Sequence, residues 1–405
     1  MSGSWTQLPA HRAWLDAEGQ RLLDTAKAAR IPGGFAWLDA EGAPDPQQPL
    51  QLWITARMTH VFSLAALRGV PGAASYADHG VAALLAGPLR DDVHDGWYPA
   101  VGEERKAMYD HAFVLIAASS AAVAGRPGAD RLLQEAITLV ERYFWDDVQG
   151  WSREAYDRAW TEAEPYLGAN SNMHSVEAFL SVADALDEDK WRDRALRIAG
   201  FFIEHVSRRH DWRIPEHFDP DGGVALEFNA ENKADKFRPY GTTPGHALEW
   251  ARLLLHLRAG LTDPPAWLEE AARGLFDGAV AAGWDVDGAE GFVYTLDYDD
   301  KPVVRERMHW VVCEGINAAA VLARVTRDEK YEEWYRKLWD YADGHLIDRE
   351  HGGWFHELDV KNRPAATVWP GKADTYHAYQ ATLIPQLPLT PMLSSALKNS
   401  LEATQ

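Results

Sequence analysis

The chain has 405 residues, and its 61 acidic against 40 basic side chains leave a formal charge of −21, which argues against nucleic acid or an anionic membrane as main partner. One cysteine, Cys313, excludes an intrachain disulfide framework and suits a reducing compartment. The start Met1-Ser2-Gly3-Ser4-Trp5 lacks a basic region followed by an apolar core, and no apolar run of about 18 residues is present to span a membrane, so a soluble cytoplasmic protein, monomer or homo-oligomer, is expected.

Helical periodicity dominates the chain. The first helix is expected over 10–30, with Trp14, Leu15, Leu22, Leu23 and Ala26 on one side. Residues 52–67 are apolar nearly all round, as in a buried helix, with Arg57, Thr59 and His60 as polar exceptions. Helices follow at 74–88, 109–124, 129–144, 172–186 and 188–208. The pattern resumes at 246–257, 265–282, 310–323, 329–345 and 374–386, the last ended by Pro385 and Pro388. A buried, small-residue helix thus alternates with an amphipathic one. Gly-aromatic turns near Phe35, Trp97, Trp151, Gly223, Phe292 and Trp354 close most pairs. Such a repeat predicts an all-α protein, an (α/α)6 barrel in which residues 1–405 form one domain. An open solenoid is the alternative, but no polar capping repeat stands at either end.

The polar exceptions recur near the starts of the buried helices. They are Trp53, Arg57 and His60; Tyr109, Asp110 and His111; Asn172, His174 and Glu177; His246 and Glu249; Trp310 and Glu314; Asp374 and His377. Thr243 suits an N-cap and Pro244 the first helical position. His246 then lies in the first turn, where the positive end of the macrodipole disfavours imidazolium. Taken alone, this stretch is an ordinary capped helix with a surface histidine. In a closed barrel, however, one end of every inner helix faces a common funnel. Metal binding is the first reading of the His174/Glu177 and His246/Glu249 pairs, yet di-iron bundles use the reverse order, Glu-x-x-His. Proton transfer by two neutral histidines, with carboxylates fixing their tautomers, is the reading preferred. A funnel rich in Trp and Tyr suits a sugar.

Four segments carry a resemblance: Trp53-Ile54-Thr55-Ala56-Arg57-Met58-Thr59-His60-Val61, Asn172-Met173-His174-Ser175-Val176-Glu177-Ala178-Phe179, Thr243-Pro244-Gly245-His246-Ala247-Leu248-Glu249-Trp250 and Asp374-Thr375-Tyr376-His377. In order and spacing they resemble the N-acylglucosamine 2-epimerase superfamily, more closely its aldose–ketose isomerase branch. The resemblance implies an (α/α)6 barrel and isomerisation through a cis-enediol after ring opening, without metal or cofactor. It implies His377 as the base at C2 and His246 as the second acid/base. Arg57, His174, Glu177, Glu249 and Glu314 match pocket positions, Trp53, Tyr109, Asn172 and Trp310 are expected in the pocket, and Arg238 and Lys236 approach from the loop before His246. The expected reaction is D-mannose to D-fructose, with D-lyxose to D-xylulose as a side reaction. Lys236, His356 and Ala373 depart from the pattern expected of a sulfoquinovose isomerase, which stands as an alternative. Further alternatives are a 2-epimerase acting on N-acylglucosamine or cellobiose, a glycoside hydrolase using Glu249 and Glu314, and a helical-repeat scaffold that binds protein.

Overall fold

The computed structural model describes residues 4–402. Its helices in chain order are α1 (Pro9–Ala26), α2 (Leu52–Leu67), α3 (Ala73–Ala86), α4 (Met108–Val123), α5 (Ala129–Leu139), α6 (Ala169–Leu186), α7 (Asp189–Ala199), α8 (Pro244–Gly260), α9 (Trp267–Gly283), α10 (His309–Thr326), α11 (Glu329–Tyr341), α12 (Tyr376–Leu383) and α13 (Leu393–Glu402). Helices α2, α4, α6, α8, α10 and α12 pack each on the next, and α12 packs back on α2, so the inner ring closes. Helices α3, α5, α7, α9 and α11 each lie outside the inner helix that precedes them. The sixth pair joins the two ends of the chain, since the outer partner of α12 is α1. The open solenoid is thereby excluded.

The two rings follow from side-chain pattern. Helix α2 buries 14 of its 16 residues because it is covered on every side. Helix α7 buries one stripe, Trp191, Ala195, Ile198 and Ala199, and leaves its charged residues outward. Three outer helices end in a π-helical turn, at Val140–Phe144, Gly200–Val206 and Ala342–Leu346. The last inner helix is shorter than its sequence pattern, beginning at Tyr376 and giving way to a 3₁₀ turn over Ile384–Gln386 that contains Pro385.

Helix α13, which the periodicity had not indicated, packs on α2 and α4. The segment before it accepts hydrogen bonds from the far ends of the inner helices: Arg324 donates to the carbonyls of Leu387 and Pro385, and His256 Nδ1 meets that of Thr390. That end of the barrel is filled, and the N-terminal ends of the inner helices surround the open one.

Two-residue antiparallel ladders pin the loops at the open end. Three of them are alike: Lys106–Ala107 with Ala155–Tyr156, Leu167–Gly168 with His217–Phe218, and Arg307–Met308 with Glu357–Leu358. In each, the first strand runs into an inner helix. The residue just before the second strand accepts a backbone hydrogen bond from that helix's first residue: Glu154 from Met108, Glu216 from Ala169 and His356 from His309. Three residues beyond Glu154, Glu216 and His356 stand Asp157, Asp219 and Asp359, whose carboxylates cap the following turns. The repeat therefore places Glu154, Glu216 and His356 equivalently, at the rim of the funnel.

Candidate active site

The open end holds a cavity lined by aromatic, histidine and charged side chains and open to solvent at its mouth, the mixture of apolar walls and a few polar groups that small-molecule sites show. His246 enters it from the first turn of α8. Thr243 precedes that helix in an extended conformation, but its hydroxyl makes no cap bond and has no partner. The helix start is set instead by Pro244 and by the bond from the His246 N–H to the Thr243 carbonyl at 3.0 Å. Gly245 is required here for space: a Cβ would fall 2.5 Å from the Trp310 ring. Trp310 can therefore lie against the start of α8. Its ring stands 5.3 Å from that of His246 and 5.8 Å from that of His377.

Both histidines are held in the same way. The Nδ1 of His246 lies 2.8 Å from Glu216 Oε1, and the Nδ1 of His377 lies 2.9 Å from Glu314 Oε1. Burial works against the charge on Glu314, but the Arg252 guanidinium and His377 outweigh it and hold the carboxyl below its usual range. An ionised carboxylate only accepts, so the hydrogen of His377 sits on Nδ1 and Nε2 keeps its lone pair. The carboxylate partner of His246 is thus Glu216, on the loop before β-strand residue His217, and not Glu249 three residues further along α8.

Glu249 belongs to a buried charge cluster that meets the cavity through Glu249 and His174. Arg252 donates through Nε to Glu314 at 2.7 Å, and its Nη2 lies 3.4 Å from Glu249 and 3.5 Å from Glu177. His174 completes the group, 3.5 Å from Glu177 and 4.0 Å from Glu249. Burial opposes ionisation of Glu177, yet Arg252 and His174 hold it low. Glu249 goes the other way: burial and then the charge of Glu314 push it well above the ordinary range, towards the neutral acid. Burial pushes His174 down to about 4 against the pull of Glu177. Ligand atoms of His174, Glu177 and Glu249, and of Glu249, Glu314 and His377, lie within 4.8 Å of one another. Arg252 already supplies the positive charge such carboxylates need, and a cation there would have to displace or face it.

Arg57 forms part of the opposite wall. It donates to Asp374 at 3.2 Å and to the Tyr109 hydroxyl at 3.3 Å, and its guanidinium packs on the rings of Trp53, Phe113 and Tyr376. Asp374 also accepts from the Tyr376 N–H at 2.7 Å, so it holds Arg57 while bonding the first residue of α12, whose N-cap position is Thr375.

Of the residues expected in the pocket, Trp53, Arg57, Tyr109, His174, His246, Glu249, Trp310 and His377 face the cavity, as does Lys236. Glu177 and Glu314 lie behind that wall. Asn172 is placed elsewhere: its side chain is spent on the backbone of Ser152 and Gly168. Arg238 is also withheld. It pairs with Glu164 at 2.6 Å, lies near Glu154 and stacks on Tyr166, anchoring the loop that brings Lys236, Phe237 and Pro239 to the cavity. His60 and His111 are core residues, bonded to Ser120 and to the Ala107 carbonyl. The residues that sequence reasoning missed are Glu216, Arg252, Tyr294, His309 and Trp369. A signal for Glu216 exists, its place three residues before the turn-capping Asp219 in register with Glu154 and His356. Arg252, one turn beyond Glu249 inside an apolar run, was legible as a buried charge in need of partners.

The family model for N-acylglucosamine 2-epimerase (GlcNAc 2-epimerase) matches residues 33–381. A protein of Thermobifida fusca named D-mannose isomerase is 57% identical over 401 residues, covering 97% of this chain and 98% of its own. A D-mannose isomerase of Pseudomonas cannabina pv. alisalensis is 50% identical over 403 residues, with 97% of both chains covered. Among solved structures, one of a D-mannose isomerase superposes with a TM-score of 0.86 at 27% identity, covering 94% of this chain and 99% of that one.

Proposed function

The chain belongs to the N-acylglucosamine 2-epimerase family, and within it we propose an aldose–ketose isomerase that interconverts D-mannose and D-fructose, with D-lyxose and D-xylulose as a second pair. The observation that carries this reading is the pair of histidines, each backed at Nδ1 by a carboxylate, on either side of Trp310 in one cavity.

Isomerisation moves one hydrogen from C2 to C1 and another from O2 to O1. The C2 proton is a poor acid until the C1 carbonyl oxygen is polarised, so a base and an acid must act together. His377 Nε2, free to accept, takes the C2 proton of the open-chain sugar and returns it to C1 of the enediol. His246 serves the oxygens: it takes the O1 proton and delivers it to the ring oxygen O5 as the C1–O5 bond breaks, and it then takes the O2 proton and delivers it to O1 as the ketone forms. Glu216 and Glu314 hold the two rings in orientation and stabilise each imidazolium as it appears. Trp310 supports the reacting carbons between the rings, and Arg57, His174 and Glu249 offer hydrogen bonds to sugar hydroxyls. The chemistry needs no metal or cofactor, because the two histidines supply both acid and base.

A neutral sugar is preferred over a sulfosugar. The charge of Arg57 is already paired with Asp374 and that of Arg238 with Glu164, so neither guanidinium brings an unpaired positive charge to a sulfonate, while Arg57 keeps donors for neutral hydroxyls. We place the reaction in the cytoplasm: no described helix is long and apolar enough to cross a membrane, and the buried thiol of Cys313 fits a reducing compartment.

The test is incubation with D-mannose in excess EDTA, with the products followed by NMR. Fructose should form, and a C2-deuterated mannose should pass its label to C1 or to water. Glucose as the first product would point to a 2-epimerase, and the absence of any ketose would end the isomerase reading.

A further inference from the structure

Two histidines outside the catalytic pair form part of the cavity wall, His309 and His356. Both are buried, and their rings stack with centroids 3.8 Å apart and planes 16° from parallel. The ladder of Arg307–Met308 with Glu357–Leu358 brings them together, and the bond from the His309 N–H to the His356 carbonyl at 3.0 Å continues it. His356 is saturated: its Nδ1 accepts from the Ala373 N–H at 3.2 Å, and its Nε2 donates to the Asp374 carbonyl at 3.1 Å. It stands in the repeat where Glu216 stands, yet it holds the backbone leading to α12 instead of a catalytic ring.

His309 is not saturated. Its Nδ1 lies 3.3 Å from the His356 carbonyl, which can only accept, so Nδ1 carries the hydrogen. Its Nε2 is therefore a bare acceptor, and it is buried without a partner. Buried acceptors are seldom left unmet, and one on the wall of a binding cavity calls for a donor from the ligand. Burial and the neighbouring His356 keep the ring neutral, so the atom does not become a donor near neutral pH. The His309 ring stands edge-on to that of His377, 6.4 Å between centroids.

We propose that His309 Nε2 accepts a hydrogen bond from one sugar hydroxyl on the His377 side of the substrate, and that the stack on His356 fixes the tautomer this needs. His309 is then a specificity-determining residue. An atom that only accepts welcomes a hydroxyl, and repels a carbonyl, carboxylate or sulfonate oxygen presented at the same point. This assignment rests on the aldose–ketose isomerase reading above.

The test is kcat/KM for D-mannose and for its 3-deoxy, 4-deoxy and 6-deoxy analogues in the wild type and His309→Phe, with His309→Ala as second variant should the first not fold. The wild type should disfavour one analogue by roughly 5- to 150-fold, the value of one buried hydrogen bond. The variant should lose a similar factor on D-mannose and little on that analogue, so that its discrimination disappears, while its melting temperature stays near that of the wild type. An equal loss on all four sugars, no loss on D-mannose, or a wild type indifferent to every deoxy position would each overturn the proposal. A wild type that turns over no mannose would instead defeat the isomerase reading, and calorimetric affinities for the same four sugars would then give the same comparison for His309.

Discussion

Replacement of Glu216 by Gln probes the part of the site that only the folded chain reveals. The carboxylate lies 2.8 Å from His246 Nδ1 and is buried. In the resting enzyme the amide oxygen can still accept from Nδ1–H, so the fold and the ring's position should survive. The difference arises when His246 carries a second proton. Charge centres about 4 Å apart at an effective dielectric constant near 20 attract by about 4 kcal/mol, and a neutral hydrogen bond retains about 1 kcal/mol of that. The imidazolium should then lose about 2–3 kcal/mol, which is roughly 30- to 150-fold in kcat. That is less than the roughly 10²–10⁴-fold expected for His246→Ala, where the proton carrier itself is gone. The assay is initial-rate fructose formation from D-mannose over a range of substrate concentrations. The effect should fall on kcat, with KM little changed, because the interaction strengthens only along the reaction path. A Glu216→Gln enzyme within about threefold of wild type in kcat, or one altered only in KM, would refute the role given to this carboxylate.

Arg57 and Arg238 should separate cleanly. Arg57→Ala strips Asp374 of its buried partner and should cost about 3–5 kcal/mol in urea unfolding as well as activity, and Arg57→Lys should not restore either, since an ammonium cannot match the donors and ring contacts of a guanidinium. Arg238→Ala should leave kcat near wild type and raise KM, because its side chain anchors the loop of Lys236 and Phe237 and does not face the cavity; a kcat loss above tenfold would contradict this. The protein should also be acid-sensitive. Burial lowers His60, His174 and His256 to about 4 and His111 and His356 to about 3, from 6.5. Below pH 6.5 the unfolded chain takes up protons the folded one refuses, so each group removes about 1.4 kcal/mol of stability per pH unit, until pH falls to its folded value. Glu249, Asp110, Glu154 and Asp184, each raised first by burial, act oppositely above the ordinary carboxylate range, four groups against eight lowered histidines once His11, His217 and His309 are added. Melting temperature measured by calorimetry should fall steadily from pH 6.5 to 4.5, and a flat profile over that range would count against buried neutral histidines.

Much of the fold was legible before folding was considered. Apolar runs polar at only two or three positions, such as 52–67, read as interior helices, and their alternation with striped helices such as 188–208 leads to two rings. The inner helices, Arg57, His246 and His377 were found this way because period and position relative to a cap are local properties. Asn172 was misplaced by the same logic. It sits at an inner-helix start like His246, but its short amide reaches the backbone of Ser152 first. Arg238 looked free in the sequence because its partner Glu164 is 74 residues away.

What the sequence determined by itself, then, is which segments form the inner and outer helices of the barrel, which of them are buried, and that their polar residues gather at one end. What only the tertiary structure decided is which atom meets which. Glu216 and His246 are separated by 30 positions, Glu314 and His377 by 63, and Arg57 and Asp374 by 317. Burial is written in the local pattern of side chains, one turn at a time. Hydrogen bonding and charge pairing act over about 3 Å, and no such contact exists until the ring of helices closes and α1 packs against α12.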